Sequence, residues 1–277
     1  MKREIRSSLV TGTAGVGAVI DVGQESFVVP GIDQWSPSQL RNLELKRLST
    51  RLRKKLKTPR EKEPSLKVRR FPRAMFCEKC RGMITWLTEF EKEGEEPSCR
   101  KNGCDGKLVP MRFVTACENG HLGDVDWRYW AHSDTGGNRD CRAKDRLSFK
   151  VDSHSKNAGL GSLRVECGTC GSSRSLEDLS NKSKIKEIFR TCGGRHPWIY
   201  GHTDPCDADV VVLQRGATNL HYPRNMSALD IPSDLVENEA AQFSEAIRSH
   251  KSYPKLVNTL KNTTGDARDL VEAYTEL

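Results

Sequence analysis

Ten cysteines in a chain of 277 residues constrain this sequence more than any other feature. They stand at 77, 80, 99, 104, 117, 141, 167, 170, 192 and 206, and two pairs, "CEKC" and "CGTC", have CxxC spacing. Thiols in such number either staple an oxidised chain through disulfides or surround metal ions, and the compartment decides which. The N-terminus, "MKREIRSSLVTGTAGVGAVIDVG", starts basic and turns apolar, as a secretory signal does. Its apolar part is short, is broken by Gly, Thr and Ser, and lacks a small-residue cleavage pattern, so it reads as mature protein in the cytoplasm. No run of about 18 apolar residues offers a membrane span. In a reducing cytoplasm the cysteines are expected to bind zinc.

Spacing sorts them into fours. Cys77 and Cys80 are followed by Cys99 and Cys104, with Gly82, Gly103 and Gly106 nearby to permit tight turns. Two facing knuckles of this kind give tetrahedral sulfur coordination, the arrangement of a zinc ribbon, and "MITWLTEF" between them alternates as a ribbon strand would. Cys167 and Cys170 form a second knuckle, completed by Cys192 and Cys206, with His196 or His202 as possible replacements for one of those two. Cys117 and Cys141 remain, and two thiols do not close a tetrahedron. His121 and His132 are the nearest histidines, and they make a third set. Ten Cys and two His thus account for two to three zinc ions per chain.

"ACENGHLGDVDW" supports a rival reading, with Cys117 as nucleophile, His121 as base, and Asp124 and Asp126 as acids of a zinc hydrolase or nuclease. A catalytic zinc keeps one position open for water, and the closed count of donors argues for structural sites and no enzyme. Asp124 and Asp126 are then expected to cap a short helix or to hydrogen-bond a ligand histidine, with Trp127 and Trp130 in the core. "GTAGVG" lacks both GxGxxG order and a following Walker lysine, so it reads as a glycine turn and not a phosphate loop.

Charge is concentrated. Residues 41–73 hold fourteen Lys or Arg against three acids, a local +11 in a chain of +8, leaving −3 elsewhere. Ser36-Pro37-Ser38-Gln39 has the order of a helix start, and Leu40, Leu43, Leu48, Leu52 and Leu56 recur at near-helical spacing. The pattern predicts a helix over 37–56 with a basic face, then a charged linker to "RRFPR". So lopsided a segment fits a polyanion, and Arg47, Arg51, Arg53, Lys54, Lys55, Lys57, Arg69 and Arg70 are the expected DNA contacts.

The chain is read as α+β, irregular and zinc-stabilised, because 36% hydrophobic residues against 30% charged is thin for one large core. Four segments are expected. Residues 1–35 are β-rich, with a hairpin of "AVIDV" and "SFVVP", and residues 36–73 are the basic helix and linker. Residues 74–206 hold the zinc modules. Residues 207–277 hold a buried strand at 210–214, then helices over 234–249, 253–263 and 266–277.

The assembled stretches "REIRSSLVTGTAGVGAVIDVGQESFVVPGIDQW", "RFPRAMFCEKC", "LVPMRFVTACENGHLGDVDWRYWAH", "LQRGATNLHYP" and "SALDIP" resemble the N-terminal part of the DrmB family of the DISARM anti-phage defence system. The resemblance runs from about residue 3 to 232. It implies a non-enzymatic partner of a large SNF2-like, DrmA-like helicase, acting with it on DNA. Family members carry a further cysteine-bearing C-terminal part, so the resemblance makes this chain a fragment, a short variant or half of a split protein. The third reading left beside the DNA-binding subunit and the hydrolase is a zinc-ribbon adaptor for protein contacts only.

Overall fold

In the computed structural model of the protein, the strands expected on either side of "GQE" pair as a hairpin. β1 (Val19–Val22) runs antiparallel to β2 (Glu25–Val28), with Val22 opposite Glu25 across a two-residue turn. Gly23 takes φ +64 in that turn, a value that suits glycine and matches the twist of a tight hairpin. The structure describes residues 15–60, 67–92, 94–142, 146–152, 159–189, 191–224, 226 and 243–262. Contacts divide the chain into two units, residues 1–44 with 52–226 and residues 45–51 with 227–277.

The helix expected over 37–56 is four pieces. A single 3-10 turn (Pro37–Gln39) leads into β3 (Leu40–Asn42), a short helix follows at Lys46–Leu52, and β4 (Lys57–Pro59) pairs back onto β3. Leu43 N donates to Leu56 O at 3.0 Å, so two leucines of the supposed stripe face each other at a hairpin base. No residue of the Lys46–Leu52 helix is buried. A leucine stripe makes a long helix only where a core receives it; here backbone pairing of the flanks wins. The linker expected after Pro59 lies partly outside the described residues.

The rest of the first unit is a set of small antiparallel sheets. β5 (Arg69–Arg70) joins β2. β6 (Ala74–Cys77) is central between β7 (Met83–Thr85) and β8 (Leu108–Pro110). β9 (Phe113–Ala116) is central between β10 (Leu122–Asp124) and a late strand, Val211–Gln214. β11 (Leu147–Val151), β12 (Leu163–Cys167) and β13 (Ser173–Ser175) form a meander, and the late strand is β14. The fold is therefore mixed α and β, with small sheets and few helices among the described residues. β14 falls where "DVVVL" predicted a buried strand, but it is half-buried, with Gln214 exposed.

These sheets share more apolar core than the composition suggested. Trp127 and Trp130, from the helix Trp127–His132, pack with Met111, Phe113, Val165, Leu176, Leu179 and Ile185 in the largest cluster. Cys167 belongs to that cluster, and Cys77 belongs to a second one with Met75, Trp86 and Leu108. Cysteine sites are thus built into the cores and do not replace them. In the other unit, residues 243–249 are helical and a second helix runs Tyr253–Asn262. The helical readings at 234–242 and 266–277 lie outside the described residues. No helix of the described residues is long and apolar enough to cross a membrane.

Candidate metal centres

Cys77 closes β6, and the chain turns back at once into β7. Arg81 N donates to Cys77 O (3.0 Å) and Cys77 N to Gly82 O (2.9 Å), which places Cys80 beside Cys77. The left-handed residue of this knuckle is Arg81 (φ +59), where the sequence suggested Gly82. Arg81 is held there by its guanidinium, which donates to Phe149 O and stacks on Phe76 and Phe149. Facing it, Cys99 N donates to Gly106 O (2.8 Å) and Gly103 turns at φ +77.

Sulfur spacing tests what the set can hold. Cys77 Sγ lies 3.6 Å from Cys104 Sγ, and Cys80 Sγ lies 3.7 Å from Cys99 Sγ. A disulfide needs about 2.05 Å. A tetrahedron with zinc–sulfur bonds of about 2.3 Å has edges of about 3.8 Å. All ten cysteines are free thiols. The four donors of this set could hold a metal ion, as the spacing predicted. Gly106 is fixed by the same geometry, since a Cβ there would collide with Cys77 Sγ and press on Lys79. Gly106→Ala is expected to lose about one metal ion per chain, a change that metal analysis of the purified variant reads directly.

The other two sets are partitioned differently from the spacing argument. Cys167 and Cys170 repeat the first knuckle, with Gly171 N on Cys167 O (2.9 Å), Cys167 N on Ser172 O (2.8 Å), and φ +75 at Gly171. Their partners are Cys141, whose Sγ is 3.9 Å from Cys167 Sγ, and His132, whose Nε2 is 3.2 Å from Cys170 Sγ. His132 is buried, and its Nδ1 lies 2.6 Å from Arg128 O. A carbonyl only accepts, so Nδ1 carries the proton and Nε2 presents its lone pair to the sulfurs. The helix Trp127–His132 packs on β12 and β13, which is what brings His132 to the knuckle.

Cys117 and His121 meet Cys192 and Cys206 instead. Cys117 follows β9, and β14 pairs with β9 with Val211 opposite Ala116, so Cys206 arrives beside Cys117 at 4.0 Å. His121 turns Nδ1 to Cys117 Sγ at 3.3 Å. Asn119 Nδ2 donates to Cys206 Sγ (3.4 Å) and Gly194 N to Cys192 Sγ (3.3 Å). Sequence reasoning therefore found the twelve donors but exchanged partners between two sets, and it missed Asn119.

Without a cation these thiols do not ionise together. Burial pushes Cys99 up to about 12 and Cys192 up to about 11, and raises Cys77. The Ser172 hydroxyl, 3.2 Å away, lowers Cys170 to about 6. Burial opposes ionisation of Cys80, but the Gly82 N–H and neighbouring thiols outweigh it and bring the pKa to about 7. Converging donors of this kind hold mixed thiols and thiolates until a positive ion replaces the protons.

His196 and His202 are not in either set. Both donate from Nε2 to Asp204, at 2.8 and 2.7 Å, and the same carboxylate lies 3.7 Å from His121 Nε2. The shorter pair are hydrogen-bond lengths, and the His196 bond holds the Asp204 carboxyl below its usual pKa. Asp204 is the carboxylate behind the ligand histidine, a part the sequence assigned to Asp124 or Asp126. Asp126 caps the helix Trp127–His132, accepting from Tyr129 N at 2.9 Å. Asp124 accepts from Ala74 N at 2.9 Å, and burial raises its pKa against that bond and the Arg73 charge. Neither aspartate reaches a donor set.

Of the expected DNA contacts, Arg47, Arg51, Arg53, Lys54, Lys55 and Lys57 are exposed. Arg70 is not available. Its side chain is 9% exposed, lies 2.7 Å from both Glu25 and Glu91, and stacks over Phe27. β5 turns it inward because strand side chains alternate, a detail that charge counting does not carry. Arg69 points the other way and lies over the Tyr200 ring at 4.9 Å.

Comparison with known proteins agrees with the resemblance read from the sequence. The DISARM protein DrmB of Bacillus paralicheniformis is 30% identical over 257 residues, which is 89% of this chain. The chain spans 42% of the length of that relative. The match to a protein family runs over residues 6–222 and takes in all twelve donors. The chain belongs to that family, described as a domain of unknown function, DUF8724.

Proposed function

We propose that the chain is a non-enzymatic, zinc-holding subunit of a DISARM anti-phage defence system, which binds DNA beside a SNF2-like, DrmA-like helicase. The observation that carries this reading is the similarity to DrmB over 89% of the chain. Zinc is the metal that four-donor sets of thiolate and imidazole suit best. Each set has four protein donors, which leaves no position for a reacting water, so the ions act as ribbon-like staples and not as catalysts. Free thiols in such number belong in a reducing compartment, the cytoplasm. The exposed cations around Arg53 supply backbone contacts to DNA with little sequence preference, since phosphate contacts carry no base information.

Reversing Arg53, Lys54, Lys55 and Lys57 to Glu tests this. DNA affinity, measured by fluorescence anisotropy across a salt series, is expected to fall for every DNA sequence alike. Each lost phosphate contact should flatten the slope of log K against log salt by about 0.9. Zinc content should not change, because no donor lies in the segment. A reversed protein that keeps its DNA affinity but no longer co-purifies with the helicase would move the cations to a protein partner and leave an adaptor.

A further inference from the structure

A second basic feature lies outside the segment that the charge count singled out. Arg128, Arg139 and Arg142 line one cavity of about 280 Å³, with Asp140 as the only acid among its lining residues. The cavity sits against the His132, Cys141, Cys167 and Cys170 set. Arg128 ties two ligands of that set together: its carbonyl accepts from His132 Nδ1 (2.6 Å), and its Nη1 donates to Cys141 O (3.0 Å). Arg139 and Arg142 flank Cys141 in sequence and are exposed.

The loop that carries them is pinned by hydrogen bonds. Asn138 N donates to Ser172 Oγ (2.9 Å), beside the knuckle, and Asn138 Oδ1 accepts from Asp140 N (3.1 Å). Cys141 N donates back to Asn138 O (3.2 Å). A metal on Cys141 would fix the same loop from its other side. Three guanidinium groups around one concavity, on a framework held by a ligand residue, are an anion site ready-made. The Arg fork matches tetrahedral oxyanions by paired N–H bonds, and it cannot lose its charge.

We propose that this cavity binds a phosphate group of a nucleic-acid backbone, and so adds a contact remote in sequence from residues 41–73. The proposal rests on the DNA-binding reading and extends it to a named site. A phosphodiester is the favoured occupant because the net charge of the lining is +2 and the cavity is open to the exposed side chains of Arg139 and Arg142. Free phosphate or pyrophosphate shares that chemistry, and the experiment separates the two sources.

The test compares the parent with Arg139→Gln/Arg142→Gln and with Arg139→Lys/Arg142→Lys, leaving Arg128 and its bond to Cys141 O in place. DNA binding is followed by anisotropy over a salt series, with metal content measured on each protein. The Gln pair is expected to keep the parent's metal content, weaken DNA binding on the order of tenfold, and flatten the salt slope by about two units. The Lys pair should keep the slope but lose part of the affinity, because it keeps the charge without the fork. If the parent binds DNA and the Gln pair matches it in affinity and slope, this site is wrong while the DNA-binding reading stands. If the parent binds no DNA, both fall together. If the Gln pair binds DNA as the parent does but loses a thermal stabilisation that pyrophosphate gives the parent at matched ionic strength, the site takes a free phosphate and the nucleic-acid assignment is overturned.

Discussion

Treatment with a strong chelator at neutral pH is expected to abolish the cooperative unfolding transition of the first unit. Structural zinc contributes about 10–16 kcal/mol of apparent binding energy in small zinc-folded peptides. A domain's whole stability is about 5–15 kcal/mol. Loss of even one ion is therefore comparable with everything that holds the unit folded. The geometry makes the loss hard to absorb, because Cys77 and Cys167 are fully buried within apolar clusters. Emptying their sets leaves packed sulfurs without a counter-ion. Acid should act in the same direction. A metal-bound thiolate has a folded-state pKa far below its unfolded value of about 8.5. The stabilisation is complete above the unfolded value and is lost as pH falls through the folded one, as protons displace the metal. Circular dichroism melts with and without chelator, alongside a dye that reports released metal, make the measurement. The helix Tyr253–Asn262 lies in the other unit and holds no donor, so some helical signal should survive. A melting transition that persists unchanged after all metal has been released would sink the structural-zinc reading.

Much of this was legible because cysteine spacing is a local signal. The CEKC and CGTC knuckles and the set of 77, 80, 99 and 104 needed only the distances along the chain. The β1–β2 hairpin was legible for the same reason. Exchange of partners between the other two sets was not, because it depends on which strand lies beside which. Cys206 reaches Cys117 only because β14 pairs with β9 across about a hundred residues of sequence. His132 reaches Cys170 only because its helix packs on β12 and β13. A count of ten Cys and two His closes equally well under either partition. The basic segment failed at a different level. Its leucine spacing matched a helix, yet that period has meaning only where a core receives the stripe, and the flanking strands β3 and β4 took the backbone instead. Arg70 shows the same limit for charge, since an Arg that neutralises Glu25 and Glu91 inside the fold counts in the sequence like one facing solvent.

Pairs of ligand substitutions are expected to show the partition directly. Each set loses one donor in a single Cys→Ser variant and keeps three, which bind metal more weakly. A graded chelator should then strip one ion early from Cys141→Ser and the rest late. Cys170→Ser should give the same curve, because both residues serve the same ion. Combining them adds no second lesion: the double variant should still have one ion missing or labile, and a stability cost well short of the sum of the two. Substitutions that share a partner are not additive, whereas distant ones are. Cys117→Ser/Cys141→Ser crosses two sets and should make two ions labile, with costs that add. The partition suggested by spacing alone expects the reverse, since there Cys117 and Cys141 share an ion while Cys141 and Cys170 do not. Cys117→Ser/Cys192→Ser supplies the matching test on the other set, and should behave as one lesion. Metal counted per chain against chelator concentration separates the two schemes by one whole ion in each double variant. Two labile ions in Cys141→Ser/Cys170→Ser, with one in Cys117→Ser/Cys141→Ser, would overturn the pairing that β14 and the Trp127–His132 helix bring about.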